Sequence, residues 1–229
     1  MLLDFKSLVN LFYPKLCINC NNQLLKSEQL LCIFCRHDLP ITNFNGIQKN
    51  KVYKTLDERI AIEGALSLLY FRKNGITQKL IHNLKYRNNE TIGVFFGNWI
   101  GVFCSDNKLF TNIDYIIPVP IDKERLKKRG YNQLTKFGQQ LSNHLQKPFI
   151  ENQLIKIQKS KTQTFKRRLD RFVDLEKNFK LNDTSFMKNK RVLLIDDVIT
   201  TGATLEACTR QLLKAKNCKV SILTIAFTE

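Results

Sequence analysis

Two groups of residues have the types and spacing to do chemistry. In the run Arg191-Val-Leu-Leu-Ile-Asp-Asp-Val-Ile-Thr-Thr-Gly-Ala-Thr-Leu205, an aliphatic segment leads into two adjacent acids and then a Thr/Gly turn. Side chains alternate across a strand, so neighbouring carboxylates cannot both be buried on one face, and buried together they raise each other's pKa. Asp196 and Asp197 make sense where both accept hydrogen bonds from vicinal ribose hydroxyls, or hold a hydrated Mg²⁺. Thr200, Thr201, Gly202, Ala203 and Thr204 then offer consecutive amides and hydroxyls at a helix start, a cradle for phosphate. Gly202 leaves the backbone open to close approach. Taken alone, the same run is also an ordinary helix cap beside a solvated acid pair.

The second group is Cys17-x-x-Cys20 with Cys32-x-x-Cys35, two tight thiol pairs. Four thiolates make a closed tetrahedron, which is the chemistry of a structural zinc rather than a catalytic one. His37 lies just outside and would ligate only by displacing a cysteine. A redox reading is weaker, because neither pair opens a thioredoxin-like βαβ unit. Cys104, Cys208 and Cys218 fall in apolar patterns and read as small core residues.

Cations cluster around these groups. Lys123, Arg125, Lys127, Lys128 and Arg129 follow the apolar segment Ile113–Val119, and guanidinium groups grip phosphate oxygens in a two-point fork. A second stretch carries Lys161, Gln163, Arg167, Arg168 and Arg171, candidates for diphosphate or nucleic-acid contact. Phe165 and Phe172 beside them either stack on bases or anchor the segment. Lys85-Tyr86-Arg87 is a smaller version of the same pattern. The net charge of +17, from 37 basic against 20 acidic residues, favours polyanionic partners, although a solvated basic surface has the same composition.

These residues need elements to position them. Ala65–Tyr70, Ile113–Val119, Arg191–Ile195 and Val220–Ile225 read as short, fully apolar strands. Ile76–Tyr86, Thr91–Cys104, Asn132–Leu145 and Ala203–Lys214 read as helices between them, so the expected fold is α/β with a parallel sheet flanked by helices. In such a sheet the ligand cleft lies beyond the carboxyl ends of the strands, where Asp196 and Asp197 fall. Residues 1–40 read as a small zinc-binding module, 41–60 as a polar linker or surface loop, and 61–229 as the main domain. Leu2, Leu3, Phe5, Leu8, Val9 and Phe12 recur at helical spacing, and Asp4 and Lys6 interrupt them, so the start reads as a docked helix rather than a targeting signal. Thr91–Cys104 is shorter than the ~20 residues that span a bilayer. A cytoplasmic protein with reduced thiols is expected.

Asp196–Leu205 resembles the phosphoribosyl-diphosphate (PRPP) binding signature of type I phosphoribosyltransferases. Together with Cys17–Cys35 and the run from Ile117 to Gln133, which holds Arg125, Arg129, Gly130, Tyr131, Asn132 and Gln133, the chain resembles the ComF family. The resemblance implies a type I phosphoribosyltransferase-like domain behind a four-cysteine zinc module. Asp196 and Asp197 would grip the ribose hydroxyls, and Thr200–Thr204 the 5′-phosphate. The turn after Val119 would form a pyrophosphate loop, and the segment around Lys161–Arg171 a hood that closes over the ligand. It also implies Mg²⁺ as cofactor and a role in natural competence, handling single-stranded DNA beside an ATP-driven translocase. Two functions follow: transfer of a phosphoribosyl group to an acceptor, with catalytic residues unassigned, or recognition of a phosphoribosyl moiety without catalysis.

Overall fold

A computed structural model describes residues 13–86, 89–157 and 176–228. Four strands form one sheet, β1 (Gly64–Tyr70), β2 (Tyr115–Pro118), β5 (Arg191–Ile199) and β6 (Lys219–Phe227), in the order β1-β6-β5-β2 with every pairing parallel. Two short strands, β3 (Leu154–Lys156) and β4 (Phe179–Leu181), make a separate antiparallel ribbon. In β5, Val192, Leu193, Leu194 and Ile195 are all buried, so both faces of the sheet are covered. Each such aliphatic side chain contributes ~1.5–3 kcal/mol on burial.

The covering helices are α2 (Lys51–Asp57), α3 (Ile76–Tyr86), α4 (Thr91–Asp106), α5 (Lys123–Arg129), α6 (Thr135–Leu145) and α7 (Ala203–Leu212), after a short α1 (Ile33–His37). Helix α7 packs on β5 and β6, α6 packs on β2, and α4 lies along α6. The α4–α6 approach is close because Gly93, Gly97 and Gly101 face α6; a methyl group on Gly97 would stand 2.6 Å from the Gln140 Cβ.

Three features depart from the expectation. The 41–60 stretch contains α2, whose Val52 and Leu56 are buried and whose start is capped by the Asn50 side chain accepting from the Tyr53 N–H. Strand β5 runs on to Ile199, so the two acids lie within a strand rather than after it. Pairing of β2 with β5 ends at Pro118–Ile195, while β6 continues alongside through Phe227. The acids therefore sit where β5 loses one neighbour and keeps the other. The cationic run after β2 folds into α5, capped by Asp122 at its start and by Gly130, at φ +77°, at its end. None of the described helices is long and apolar enough to cross a membrane.

Candidate functional site

The residues around the acid pair come from four elements. Asp197 is almost fully buried, 3% exposed, and both of its carboxylate oxygens are engaged. The Lys85 ammonium, from the last turn of α3, lies 2.7 Å from Oδ1. The Gln133 amide donates to Oδ2 at 3.1 Å. Asp196 is half-buried and its Oδ1 accepts the Asp197 N–H at 2.8 Å. Burial pushes the Asp196 carboxyl up to about 7, and the Asp197 carboxylate adds to that, while Lys85 and the Asp197 N–H pull the other way. The two acids thus differ as strand alternation requires, one held at both oxygens by side chains and the other held only through a backbone N–H.

The turn after β5 carries Gly202 at φ +76°, a conformation that favours glycine, and α7 starts at Ala203 with no side chain capping it. Apart from a long 3.4 Å contact from the Ala203 N–H to the Thr201 hydroxyl, its first-turn amides are left, among the described residues, as donors for an anion. Arg59 fixes the turn from behind, donating to the Thr201 carbonyl at 2.7 Å, and Arg210 of α7 holds the Arg59 carbonyl at 3.0 Å.

Between the acids and the helix start opens a cavity of about 400 Å³. Asp196, Asp197, Thr200 and Thr204 line it, together with Arg125, Arg129 and Asp122 of the α5 region. Phe71, Ile81, His82, Tyr86 and Phe179 supply an apolar and aromatic wall. Thr201, Gly202 and Ala203 shape the turn without lining the cavity. Arg125 has no hydrogen-bond or ion-pair partner among the described residues, whereas Arg129 is engaged twice. Its guanidinium donates to the Gln133 side chain at 2.7 Å and lies 5.1 Å above the Tyr86 ring. Lys161, Gln163, Arg167, Arg168 and Arg171 lie outside the described residues.

Lys85 and Gln133 are the residues that sequence reasoning underused. Both stood inside singled-out segments, but nothing local showed that residues so far apart in sequence meet on one carboxylate.

The second candidate site is closed. The Sγ atoms of Cys17, Cys20, Cys32 and Cys35 all lie within 4.8 Å of one another, with Cys20 and Cys32 at 3.7 Å. Zinc–sulfur bonds of ~2.3 Å in a tetrahedron place sulfurs ~3.8 Å apart, so the cluster fits that ion. Three of the thiols are buried, and Asn19 donates to the Cys35 sulfur at 3.2 Å. His37 is exposed and stands outside the cluster. The cysteine cluster is held against α4 by Arg36, whose guanidinium lies 5.3 Å above the Trp99 ring, and against α3 by Lys79, which donates to the Asn19 carbonyl.

Parts of the chain resemble known proteins. A phosphoribosyl transferase domain family model matches residues 135–228, which include β5, its acids and α7. Competence protein F of Haemophilus influenzae is 34% identical over 142 residues, 59% of this chain and 61% of that protein. Competence protein ComFC of Bacillus subtilis is 27% identical over 215 residues, spanning 92% of this chain and 83% of that one. The chain is thus similar to ComF-type competence proteins. A structure of adenine phosphoribosyltransferase from Saccharomyces cerevisiae matches 69% of this chain and 71% of its own at 19% identity, with a TM-score of 0.34. The matched segment of the Haemophilus relative leaves over a third of that protein unmatched, so its role does not transfer directly. The phosphoribosyl transferase match begins after α3, so Lys85 lies outside it.

Proposed function

We propose that the cavity binds a 5-phosphoribosyl group, either PRPP or the end of a nucleic-acid strand, and that the protein serves DNA uptake in natural competence. The observation that carries this reading is a cavity lined both by Asp196 and by Thr204 of an uncapped helix start. A ribose presents vicinal hydroxyls to the first while its 5′-phosphate reaches the amides of the second. Arg125, which lines the cavity, would take a diphosphate or the next backbone phosphate. The competence role rests on the names of the two bacterial relatives.

A protein-held Mg²⁺ does not fit the acid pair as arranged. Asp197 offers no unengaged oxygen, and an ammonium already stands 2.7 Å from it. Mg²⁺ dehydrates reluctantly and is commonly bound through substrate phosphates, so the ion belongs with a diphosphate ligand rather than with these carboxylates. The cysteine cluster would hold zinc as a closed structural site that ties residues 17–35 together.

Recognition of single-stranded DNA by the same site is supported by the net charge of +17, since backbone phosphates supply most non-specific affinity. The two functions separate in one assay. Purified protein is titrated with PRPP and Mg²⁺, and pyrophosphate release is followed with candidate acceptors. Steady release identifies a transferase; saturable binding without release identifies a recognition protein. Absence of binding by PRPP, ribose 5-phosphate and DNA alike overturns the proposal.

A further inference from the structure

Among the described residues, Lys85 is the one cation of the cavity wall that is paired with an acid of β5, and four further contacts show that this pairing is built. The side chain of Asp197 is 4% exposed, that of Lys85 26%, so the ion pair is shielded at the carboxylate and open at the ammonium. The residues on either side of Lys85 are clamped. The Tyr131 hydroxyl donates to the Leu84 carbonyl, and Arg129 covers the Tyr86 ring. Arg129 also holds Gln133, which in turn donates to the far oxygen of Asp197. The Arg129–Gln133 segment thus fixes the last turn of α3 and the acid together, which presets where the ammonium stands.

We infer that Lys85 is a tethered cation that takes the place of a divalent metal at the acid pair, so that ribose-phosphate recognition needs no Mg²⁺. The inference rests on the phosphoribosyl reading of the cavity. Two adjacent carboxylates repel each other and any anionic ligand; a metal ion is the usual neutraliser, and here an ammonium supplies the charge from within. Of the three N–H donors on Lys85, one is spent on Asp197 and the others are available to a ligand oxygen in the cavity it lines. The ammonium also excludes the metal, because a divalent cation on Asp197 would have to sit beside a like charge.

The test is the affinity for ribose 5-phosphate, by calorimetry, in EDTA and in excess Mg²⁺, for the wild type, Lys85→Met and Lys85→Arg. Wild-type affinity is expected to be the same in both buffers. Lys85→Met should bind ~10-fold or more weakly in EDTA, as when one partner of a shielded charge pair is removed. It should recover when Mg²⁺ occupies the vacated position, a rescue that a merely structural lysine would not give. Lys85→Arg keeps the charge and should stay metal-independent. Wild-type binding that requires Mg²⁺ overturns the inference without any variant having to fold. Lys85→Met binding like the wild type in EDTA overturns it as well. Wild-type protein that binds ribose 5-phosphate in neither buffer overturns the phosphoribosyl reading together with it.

Discussion

Asp196 and Asp197 are adjacent in sequence and opposite in circumstance. Asp197 has its negative charge neutralised by Lys85 and its orientation set by Gln133, so it is a fixed element of the wall. Asp196 has only a backbone N–H, and burial beside a second acid pushes it up to about 7 from an ordinary 3.8. The folded protein therefore holds this proton more tightly than the unfolded chain. The group's stabilising contribution is complete below about 3.8 and is lost as pH rises to about 7. Asp196→Asn, which mimics the protonated form, should gain stability over the wild type as pH rises from ~5 to ~8. Denaturant midpoints across that range check it, and a constant gap would show that the carboxyl is not raised. Ligand affinity should run the other way in the wild type, improving as Asp196 ionises and becomes a full acceptor for a hydroxyl.

At the scale of elements, the strand-loop-helix unit works because Gly202 lets β5 turn into α7 within a few residues. A methyl group there would stand 2.9 Å from Leu56 of α2 and require a left-handed backbone, which costs ~1–2 kcal/mol for other residues. Gly202→Ala should lose about that much stability and weaken phosphate binding at the helix start, read by urea denaturation and by ribose 5-phosphate titration. The apolar strands and long helices were legible in the sequence because runs such as Val192–Ile195 bury on both faces and α4 repeats its pattern over 16 residues. Helix α5 was not, because no residue of Lys123–Arg129 is buried and a charged run has no periodicity to read. Strands β3 and β4 are three residues each, too short for alternation to register. Helix α2 did leave a signal, Val52 and Leu56 one turn apart, inside a segment whose polarity masked it. Of the site, the acids and the Thr/Gly turn were readable as one contiguous run. Lys85, Gln133 and Arg59 reach them only through the fold.

For the molecule as a whole, the cysteine cluster is joined to α4 through Arg36 on Trp99 and Phe95 and to α3 through Lys79 on Asn19. Zinc would supply on the order of 10 kcal/mol to a segment too small to fold alone. Cys17→Ser should lose the metal and unfold residues 17–35 while leaving the sheet intact. A stoichiometric zinc assay with hydrogen exchange checks this, and unchanged zinc content would reject the ligand set. The surplus of basic residues should make single-stranded DNA binding fall steeply with salt, a slope of about −0.7 per phosphate contacted in log–log form. A flat salt response would remove DNA from the set of partners and leave the small ligand.

The central claim is that the acids of β5 and the start of α7 form one phosphoribosyl site. Its most direct test is calorimetric titration of PRPP into the wild type and into Asp196→Asn/Asp197→Asn, with far-ultraviolet circular dichroism and thermal unfolding as controls for the fold. The account predicts saturable binding by the wild type and a loss of ~100-fold or more in the folded double variant, since the charged acceptor at Asp196 and the carboxylate that holds Lys85 and Gln133 in place are both removed. Full PRPP affinity in that variant would contradict it.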